Sequence, residues 1–342
     1  MLDIVTTTVS AIDRPLPEWR RDALAGGSHD RWFEDARCLH QIELHGPVTR
    51  EGLPRRVVAW NAERLKYLDA SIARLREVDA DVMLITEVDC GMARSGNRHT
   101  VRDLARELGM SYAFGVEFIE LGLGDARERK WHEGQSNADG LHGAAILSRM
   151  PIEDATLLRL DRDGTWYDGD RNGERRVGGR IAMLARIGGV VMACVHLESH
   201  SDPRHRAGQM KQIFEVVDDM SGGGPVILGG DLNTKSAGRD EWLDDAIRGR
   251  LLAEDPSRRM NPVPHEPMFE VAAVFGYDIE RCNDDAASER LRPGDPEKEL
   301  GRIDWFMTRS VDILAAETLA AVDGNGVAIS DHEILSITLR AE

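Results

Sequence analysis

A chain of 342 residues with 42% hydrophobic and 30% charged residues can build a sizeable core, which excludes an intrinsically disordered protein. Its 43 lysines and arginines against 60 aspartates and glutamates give a formal net charge of −17, which disfavours a protein whose main task is to bind a polyanion. The sequence contains no apolar run long enough to span a membrane. Residues 1–54 are polar with helical patches at 18–25 and 31–40, and we predict that they form an N-terminal helical extension.

From Arg56 onward the pattern changes to alternating strands and helices. The run 56–61 predicts a buried strand, and 65–78 repeats apolar residues at spacings of three and four, as an amphipathic helix does. Gly188-Gly189 predicts a hairpin turn. Further strands are predicted at 82–88, 144–148, 180–187, 190–197, 225–230, 302–307 and 333–339, and further helices at 100–108 and 203–220.

Two stretches, 121–142 and 248–300, are rich in glycine, proline and charge, and we interpret them as long loops. Strands joined both by hairpins and by helices indicate a mixed, layered α/β fold. The four cysteines have neither a CxxC pair nor a disulfide spacing, and the first fifteen residues lack the basic and apolar segments of a signal peptide. We therefore expect a cytoplasmic protein.

Polar clusters follow or end several of the predicted strands. Strand ends at one edge of a sheet can converge in space, and carboxylates and amides suit Mg²⁺ or Mn²⁺ better than Zn²⁺. The clusters are Asn61 with Glu63, Glu87, His196, Asp231 with Asn233, and Asp331 with His332.

Each cluster also has a structural interpretation. Asp231 and Asn233 follow two glycines that would allow a tight turn and the close approach of an anion, but the same residues are typical of an Asx turn that caps a helix. Glu87 ends a buried strand, where a carboxylate is costly unless it is paired or bound to metal. His196, taken alone, reads as a buried core histidine.

Seven motifs in order resemble the endonuclease/exonuclease/phosphatase superfamily. These are Mg²⁺-dependent phosphoesterases that include apurinic endonucleases, deoxyribonucleases and neutral sphingomyelinases. The motifs are WNAE at 60–63, ITEV at 85–88, GAAILSR at 143–149, VHL at 195–197, GDLN at 230–233, RIDW at 302–305 and SDH at 330–332.

The resemblance implies a four-layered α/β sandwich, two packed mixed sheets flanked by helices, with residues 55–342 as the catalytic domain. It implies Glu87 as the principal ligand of Mg²⁺ or Mn²⁺, with Asn61, Glu63 and Asp331 as further ligands. It also implies that Asp231 orients or deprotonates the attacking water, that Asn233, His196 and His332 stabilise charge on phosphoryl oxygens, and that Asp304 holds His332.

The chain departs from the family pattern at several positions. Glu63 stands where the family often has aspartate, which leaves the number of metal ions open, and Ala144 replaces the usual asparagine. The tyrosine of apurinic endonucleases is absent from 140–143, where His142 is either a phosphate contact or a solvated loop residue. We interpret the basic run of Arg171, Arg175, Arg176 and Arg180 as a solvated hairpin.

The sequence therefore predicts a metal-dependent phosphoesterase that hydrolyses a small or locally presented phosphomono- or phosphodiester by attack of an activated water. A DNA endo- or exonuclease on the same scaffold is the first alternative, although the net charge disfavours duplex DNA. A catalytically silent binding module is the second alternative, because a fold does not fix a function. Against it, every motif keeps its reactive residue.

Overall fold

Fifteen strands and ten α-helices make up the computed structural model, which describes residues 2–169, 174–292 and 299–340. The strands are β1 Asp3–Val5, β2 Thr8–Val9, β3 Ile42–His45, β4 Arg56–Arg64, β5 Val82–Cys90, β6 Ser111–Glu120, β7 Leu141–Ser148, β8 Glu153–Arg159, β9 Arg176–Gly178, β10 Ile181–Ile187, β11 Val190–His196, β12 Val226–Asp231, β13 Asp304–Arg309, β14 Ile313–Leu319 and β15 Ile334–Leu339. The helices are α1 Pro17–Ala25, α2 His29–Asp35, α3 Leu68–Val78, α4 Thr100–Leu108, α5 Ala126–Trp131, α6 Thr165–Asp168, α7 Pro203–Ser221, α8 Arg239–Leu243, α9 Asp245–Glu254 and α10 Met268–Val274.

The strands form two mixed sheets. The first has the order β1-β8-β10-β11-β12-β13, and the second has the order β14-β15-β4-β5-β7-β6-β3-β2 with β9 beside β6. Three neighbouring pairs are parallel, namely β11 with β12, β4 with β5 and β2 with β3, while the other described pairs are antiparallel. Two mixed sheets with flanking helices confirm the predicted α/β sandwich.

Three hydrophobic clusters hold the layers together. One lies between the sheets and joins side chains such as Leu84 and Ile146 to Met192 and Phe306. The other two lie between each sheet and its helices, with α3 and α4 on the larger sheet and α7 and α10 on the smaller one. Because both faces of the central strands are covered, these strands are almost continuously apolar in sequence.

The first 54 residues take part in both sheets. Strand β1 pairs with β8 in the smaller sheet, and β3 pairs with β6 in the larger one. Helices α1 and α2 occupy the two patches that we predicted as helical. The expected helical extension therefore also contributes three strands, whose short polar sequences carry little strand signal.

Connections between the strands agree with the sequence in part. Gly188 and Gly189 have φ of 57° and 80°, which is the left-handed backbone of a tight hairpin, as predicted. The stretches 121–142 and 248–300, which we interpreted as loops, contain the short helices α5 and α10 and part of α9, so that interpretation is wrong in part. Residues 293–298 of the second stretch lie outside the described residues. Among the described residues, no helix combines the length and the apolar character that crossing a membrane requires.

Candidate active site

The polar side chains predicted at strand ends converge at one end of the two sheets. On the smaller sheet, His196, Asp231 and Asp304 lie side by side, because the register of β11, β12 and β13 pairs His196 with Asp231 and Asp231 with Asp304. On the larger sheet, Asn61 and Glu87 belong to the neighbouring parallel strands β4 and β5. The two groups therefore face each other across the gap between the sheets.

Asp231 is the centre of this arrangement and is almost fully buried. Its Oδ2 accepts a hydrogen bond of 3.0 Å from Asn61 Nδ2 and lies 3.4 Å from His196 Nε2 and 3.8 Å from His332 Nε2. Burial opposes ionisation of Asp231, but its neighbours, of which His332 has the largest effect, outweigh burial and hold the pKa of Asp231 below its ordinary value. The carboxylate is therefore ionised, with one oxygen directed at groups from both sheets.

The other oxygen of Asp231 forms the Asx turn that the sequence offered as an alternative. Oδ1 accepts from the backbone N–H of Asn233 at 2.9 Å, and Asn233 has a left-handed φ of 50°. Residues 232–238 are not helical, so the turn caps no helix directly after it. Asn233 Nδ2 donates to the carbonyl of Leu197 at 3.0 Å, which fixes the amide beside the end of β11.

His332 forms a short ion pair with Asp304. Its Nδ1 lies 2.8 Å from Asp304 Oδ2, and both side chains are buried. Burial alone would lower the pKa of His332, but Asp304 and Asp231 raise it well above its ordinary value. The backbone near His332 is tied to β4, because Trp60 Nε1 donates to the His332 carbonyl at 3.2 Å. His332 therefore presents a protonated Nε2 towards Asp231.

Arg180 lies against His196, which we did not expect from the sequence. Its Nη1 is 2.9 Å from His196 Nδ1, and the same nitrogen pairs with Glu117 Oε1 at 2.8 Å. Burial and the adjacent guanidinium lower the pKa of His196 to about 3, so the ring is neutral. His196 and His332 therefore differ in charge: His196 is neutral because Arg180 lies against its ring, whereas His332 is protonated.

The interpretation of the basic run as a solvated hairpin is wrong for Arg180, which is only 6% exposed. Arg176 pairs with Glu120, and Arg175 donates to the carbonyl of Leu24. Arg171 lies outside the described residues. The missed signal was the pair of acids inside the apolar strand β6, Glu117 and Glu120, which require cations from other elements.

Glu87 is held by a second arginine that sequence reasoning missed. Arg64 Nη1 donates to Glu87 Oε2 at 3.1 Å, while Arg64 Nε lies 3.1 Å from Glu128 Oε1. Burial opposes ionisation of Glu87, but Arg64 outweighs it and lowers the pKa of Glu87 well below its ordinary value. The backbone is irregular here, since Glu63, Arg64 and Leu65 have φ of 43°, 71° and 51° where the register of β4 with β5 shifts.

His142 is not the solvated loop residue that one of the two sequence interpretations expected. It lies on β7, is buried, and places Nδ1 2.8 Å from Asp89 Oδ1, with its ring stacked on Phe118. Asp89 in turn receives two hydrogen bonds from Arg94, whose third contact is Glu128. His142 therefore belongs to the buried charge network behind Glu87 and is not a solvated loop residue.

The residues present fit a hard divalent cation. Glu87 Oε1 and Asp231 Oδ2 both accept hydrogen bonds from Asn61 Nδ2, at 3.2 and 3.0 Å, and carboxylate oxygens of this kind suit Mg²⁺ or Mn²⁺. The Asn61 Oδ1, the amide atom that can ligate a metal, accepts from the N–H of Glu63 at 3.1 Å. A second group, Asp231, Asp304 and His332, has ligand atoms within 4.8 Å of one another. Glu63 and Asp331 both lie close to Nη1 of Arg292, which forms an ion pair with Glu63 and is 3.8 Å from Asp331 Oδ2.

Comparison with known proteins decides the family. The model of the Endonuclease/Exonuclease/phosphatase family matches residues 58–332, which is most of the chain. The chain belongs to this family. The predicted resemblance is thereby confirmed. A search of curated protein sequences gives no match.

Solved structures share the fold of this endonuclease/exonuclease/phosphatase family member at low identity. An endonuclease/exonuclease/phosphatase from Beutenbergia cavernae DSM 12333 is 20% identical with a TM-score of 0.53, over 84% of this chain and 71% of that one. The 3′ phosphatase NExo from Neisseria, bound to a product DNA hairpin, is 14% identical with a TM-score of 0.52, over 84% and 100%. An AP endonuclease from Archaeoglobus fulgidus is 13% identical with a TM-score of 0.51, over 84% and 100%.

Gly229 and Gly230, the two glycines before Asp231, serve strand packing in this family member. A Cβ on Gly230, whose φ is 147°, would collide with the carbonyl of Val195 on the neighbouring strand β11. A Cβ on Gly229 would meet the Phe306 ring at 2.7 Å. Our interpretation that these glycines admit an anion is therefore replaced by close packing, which brings Asp231 into register with His196 and Asp304.

Proposed function

We propose that this protein is a metal-dependent phosphoesterase that hydrolyses a small or locally presented phosphomono- or phosphodiester by attack of an activated water. The observation that carries the proposal is the meeting of Asp231, His332 and His196 with Asn61 and Glu87 from the opposite sheet. Phosphoryl transfer needs a positioned nucleophile and neutralisation of charge more than covalent help from the protein.

Each residue has a role that follows from its contacts. A divalent cation held by Glu87 and Asn61 would supply positive charge to the phosphoryl oxygens. Asp231, ionised and fixed through Oδ1 by the Asn233 N–H, can orient a water at Oδ2 and accept its proton. Asp304 keeps His332 protonated, so that its Nε2–H can donate to a phosphoryl or leaving-group oxygen. His196 and Asn233 would contribute further hydrogen bonds to these oxygens.

The charge distribution around the site supports a small or locally presented ester rather than duplex DNA. A duplex needs a continuous surface of free cations to replace its counterions. The arginines near this site are instead paired with carboxylates of the same chain, and the whole chain has a net charge of −17. The pairs are Arg64 with Glu87 and Glu128, Arg94 with Asp89, Arg176 with Glu120, Arg180 with Glu117, Arg259 with Glu289, Arg290 with Glu333, and Arg292 with Glu63.

A parallel assay tests the proposal. Purified protein with Mg²⁺ or Mn²⁺ at low salt is given p-nitrophenyl phosphate, bis-p-nitrophenyl phosphate, supercoiled plasmid and a duplex with one abasic site. The Asp231→Asn variant, prepared in the same way, controls for contaminating nucleases. We expect metal-dependent turnover of a small ester that the variant lacks.

Two other outcomes would contradict the proposal. Efficient cleavage of DNA with negligible turnover of the small esters would establish the nuclease alternative; the AP endonuclease and the DNA-bound 3′ phosphatase that share this fold make DNA the relevant competitor. Absence of turnover on all four substrates, in protein shown by titration to bind Mn²⁺, would favour the silent binding module.

A further inference from the structure

Lys235 is a cation beside the site that has no carboxylate partner of its own. It lies in the loop after β12, two residues beyond Asn233, and its side chain is partly buried. Its ammonium interacts electrostatically with Asp231 and Glu289, yet it has no ion pair within 4.0 Å and no hydrogen bond to any described residue. A partly buried charge without a counterion is unfavourable unless a ligand supplies one.

The loop that carries Lys235 is fixed on both sides of this residue. The hydroxyl of Thr234 donates to the carbonyl of Arg302 at 2.7 Å, and the N–H of Ser236 donates to Glu266 Oε1 at 2.8 Å. Thr234 and Ser236 are both buried, whereas the Lys235 side chain between them is partly exposed. The backbone therefore holds Lys235 in a set place near the end of β12, while its ammonium is available to a ligand.

The electrostatic surroundings of Lys235 favour a bound anion. Burial lowers the pKa of Lys235, and the cations Arg259 and Arg206 lower it further. Asp231 and Glu289 act in the opposite direction without outweighing burial. An anion in contact with the ammonium would favour its charged form, as an opposite charge does.

The charge of the substrate decides what such a lysine can bind. At pH 8 a phosphomonoester carries two negative charges, because its second pKa is about 6, whereas a phosphodiester carries one. In the proposed reaction, the divalent cation and the protonated His332 act on phosphoryl oxygens that both kinds of ester have. In a diester the remaining oxygen carries a second alcohol group and no charge, so an ammonium at that oxygen would lose water without gaining an ionic partner.

We propose that Lys235 binds the additional anionic oxygen of a phosphomonoester and thereby makes a phosphomonoester the preferred substrate of this site. This inference rests on the proposed phosphoesterase function and narrows its substrate class. The phosphoryl group then lies between the ammonium of Lys235 and the carboxylate of Asp231. A gap of this kind agrees with the electrostatic interaction between the two side chains and with the absence of a direct ion pair.

Two esters with the same leaving group test the inference. p-Nitrophenyl phosphate is the monoester and bis-p-nitrophenyl phosphate the diester, and kcat/KM is measured for both with Mg²⁺ at pH 8. We expect the wild type to prefer the monoester. In Lys235→Gln, kcat/KM should fall by about 10- to 100-fold for the monoester, as the loss of a hydrogen bond to a charged group does, and by less than about threefold for the diester. Lys235→Arg keeps the charge and should restore most of the monoester activity.

Lys211→Gln is the matched control, because Lys211 is an exposed lysine on α7 that lies 3.9 Å from Glu215. It should hydrolyse both esters as the wild type does. Inorganic phosphate adds a measurement that needs no turnover: in calorimetric titrations with Mg²⁺ at pH 8, we expect Lys235→Gln to bind phosphate at least about tenfold more weakly than the wild type and Lys211→Gln to bind it equally well. If Lys235→Gln does not fold, the preference of the wild type for the monoester still tests the inference.

The other outcomes separate the inference from the proposed function. An equal loss on both esters would overturn the inference, because Lys235 would then act through Asp231 and not on the charge of the substrate. A loss of less than about threefold on the monoester, or a wild type that prefers the diester, would also overturn it and leave the phosphoesterase function standing. If neither ester is hydrolysed, the proposed function fails, and phosphate binding alone decides: equal affinities in Lys235→Gln and the wild type would overturn the role of Lys235, and weaker binding by the variant would support it.

Discussion

Arg64 and Glu87 form an ion pair at 3.1 Å that joins the neighbouring parallel strands β4 and β5. Arg64 forms a second ion pair with Glu128, whose Oε1 lies 3.1 Å from Arg64 Nε. Glu87 is thus held through Oε2, while Oε1 is directed at the Asn61 amide and the centre of the site. A carboxylate with one oxygen anchored and the other directed inward is preorganised for a cation.

The first prediction concerns metal binding by this carboxylate. Glu87→Gln keeps the size of the side chain and removes its charge, so we expect the affinity for Mn²⁺ to fall by at least about tenfold, as changes in and around metal ligands commonly do. Glu128→Gln is the matched control, because Glu128 contacts the same arginine but is not next to Asn61; we expect a much smaller change. Calorimetric titration measures both. Equal affinities in Glu87→Gln and the wild type would place the metal elsewhere.

The second prediction concerns the central carboxylate of the site. In Asp231→Asn the side-chain oxygen can still accept from the Asn233 N–H and form the Asx turn. The variant lacks the carboxylate that would accept a proton from water, so we expect kcat to fall by about 10² to 10³. The thermal unfolding midpoint should stay close to that of the wild type. Asp218→Asn, which changes a half-exposed acid on α7, should leave kcat unchanged. A kcat above half of the wild-type value in Asp231→Asn would remove Asp231 from the mechanism.

The third prediction concerns the buried charges behind Glu87. Arg94 makes two hydrogen bonds of 2.8 and 2.9 Å to Asp89 and one of 3.2 Å to Glu128, and all three side chains are at most 3% exposed. Arg94→Gln would leave the buried Asp89 without its cation and Glu128 with Arg64 alone, so we expect a loss of about 3–5 kcal/mol in the free energy of unfolding.

Urea denaturation at pH 7 measures this loss. Arg102→Gln is the control, since the Arg102 side chain is 54% exposed and lies at 3.8 Å from its nearest acid; its effect should be within about 0.5 kcal/mol. A loss below 1 kcal/mol in Arg94→Gln would mean that water enters and solvates the two acids.

The elements that sequence reasoning predicted are those with one uninterrupted pattern. Helix α4 begins and ends where its spacing indicates, at Thr100 and Leu108, and strands β5 and β11 follow continuous apolar runs. Such runs occur because both faces of these strands are covered. Strand β6 was missed although all ten of its residues are buried, because Glu117 and Glu120 interrupt its apolar pattern.

Sequence reasoning likewise found only those site residues that stand out from the residues around them in the chain. Residues at strand ends, such as Asp231 and Glu87, carry a local signal, since a carboxylate that ends an apolar run is unusual. Their partners Arg64 and Arg180 carry none, because an arginine in a polar stretch is ordinary until the fold brings it against a buried acid. Placement of Arg292 beside Glu63, 229 positions away in sequence, likewise depends on the whole topology.

Glu43 ties the first part of the chain to the core of the larger sheet. It lies on β3, and its carboxylate accepts hydrogen bonds from Tyr112 Oη at 2.6 Å and from the N–H of Ile12 at 2.8 Å, with His99 Nε2 also at 2.8 Å. Burial opposes ionisation, but these partners outweigh it and lower the pKa of Glu43 from 4.5 to about 2. The charged form is therefore the one that the folded state favours.

The last prediction follows from the sign of this shift. Because the pKa of Glu43 is lower in the folded chain than in the unfolded one, its contribution is fully present above about pH 4.5 and is lost as the pH falls towards 2. We expect Glu43→Gln to reduce the free energy of unfolding by up to about 3 kcal/mol at pH 7, and by progressively less between pH 4.5 and 3. Urea denaturation of both proteins at pH 7, 5.5, 4 and 3 measures the difference, with the exposed Glu51→Gln as a control that should have no effect. A difference that is the same at every pH would show that the lost stability comes from packing around Glu43 and not from its charge.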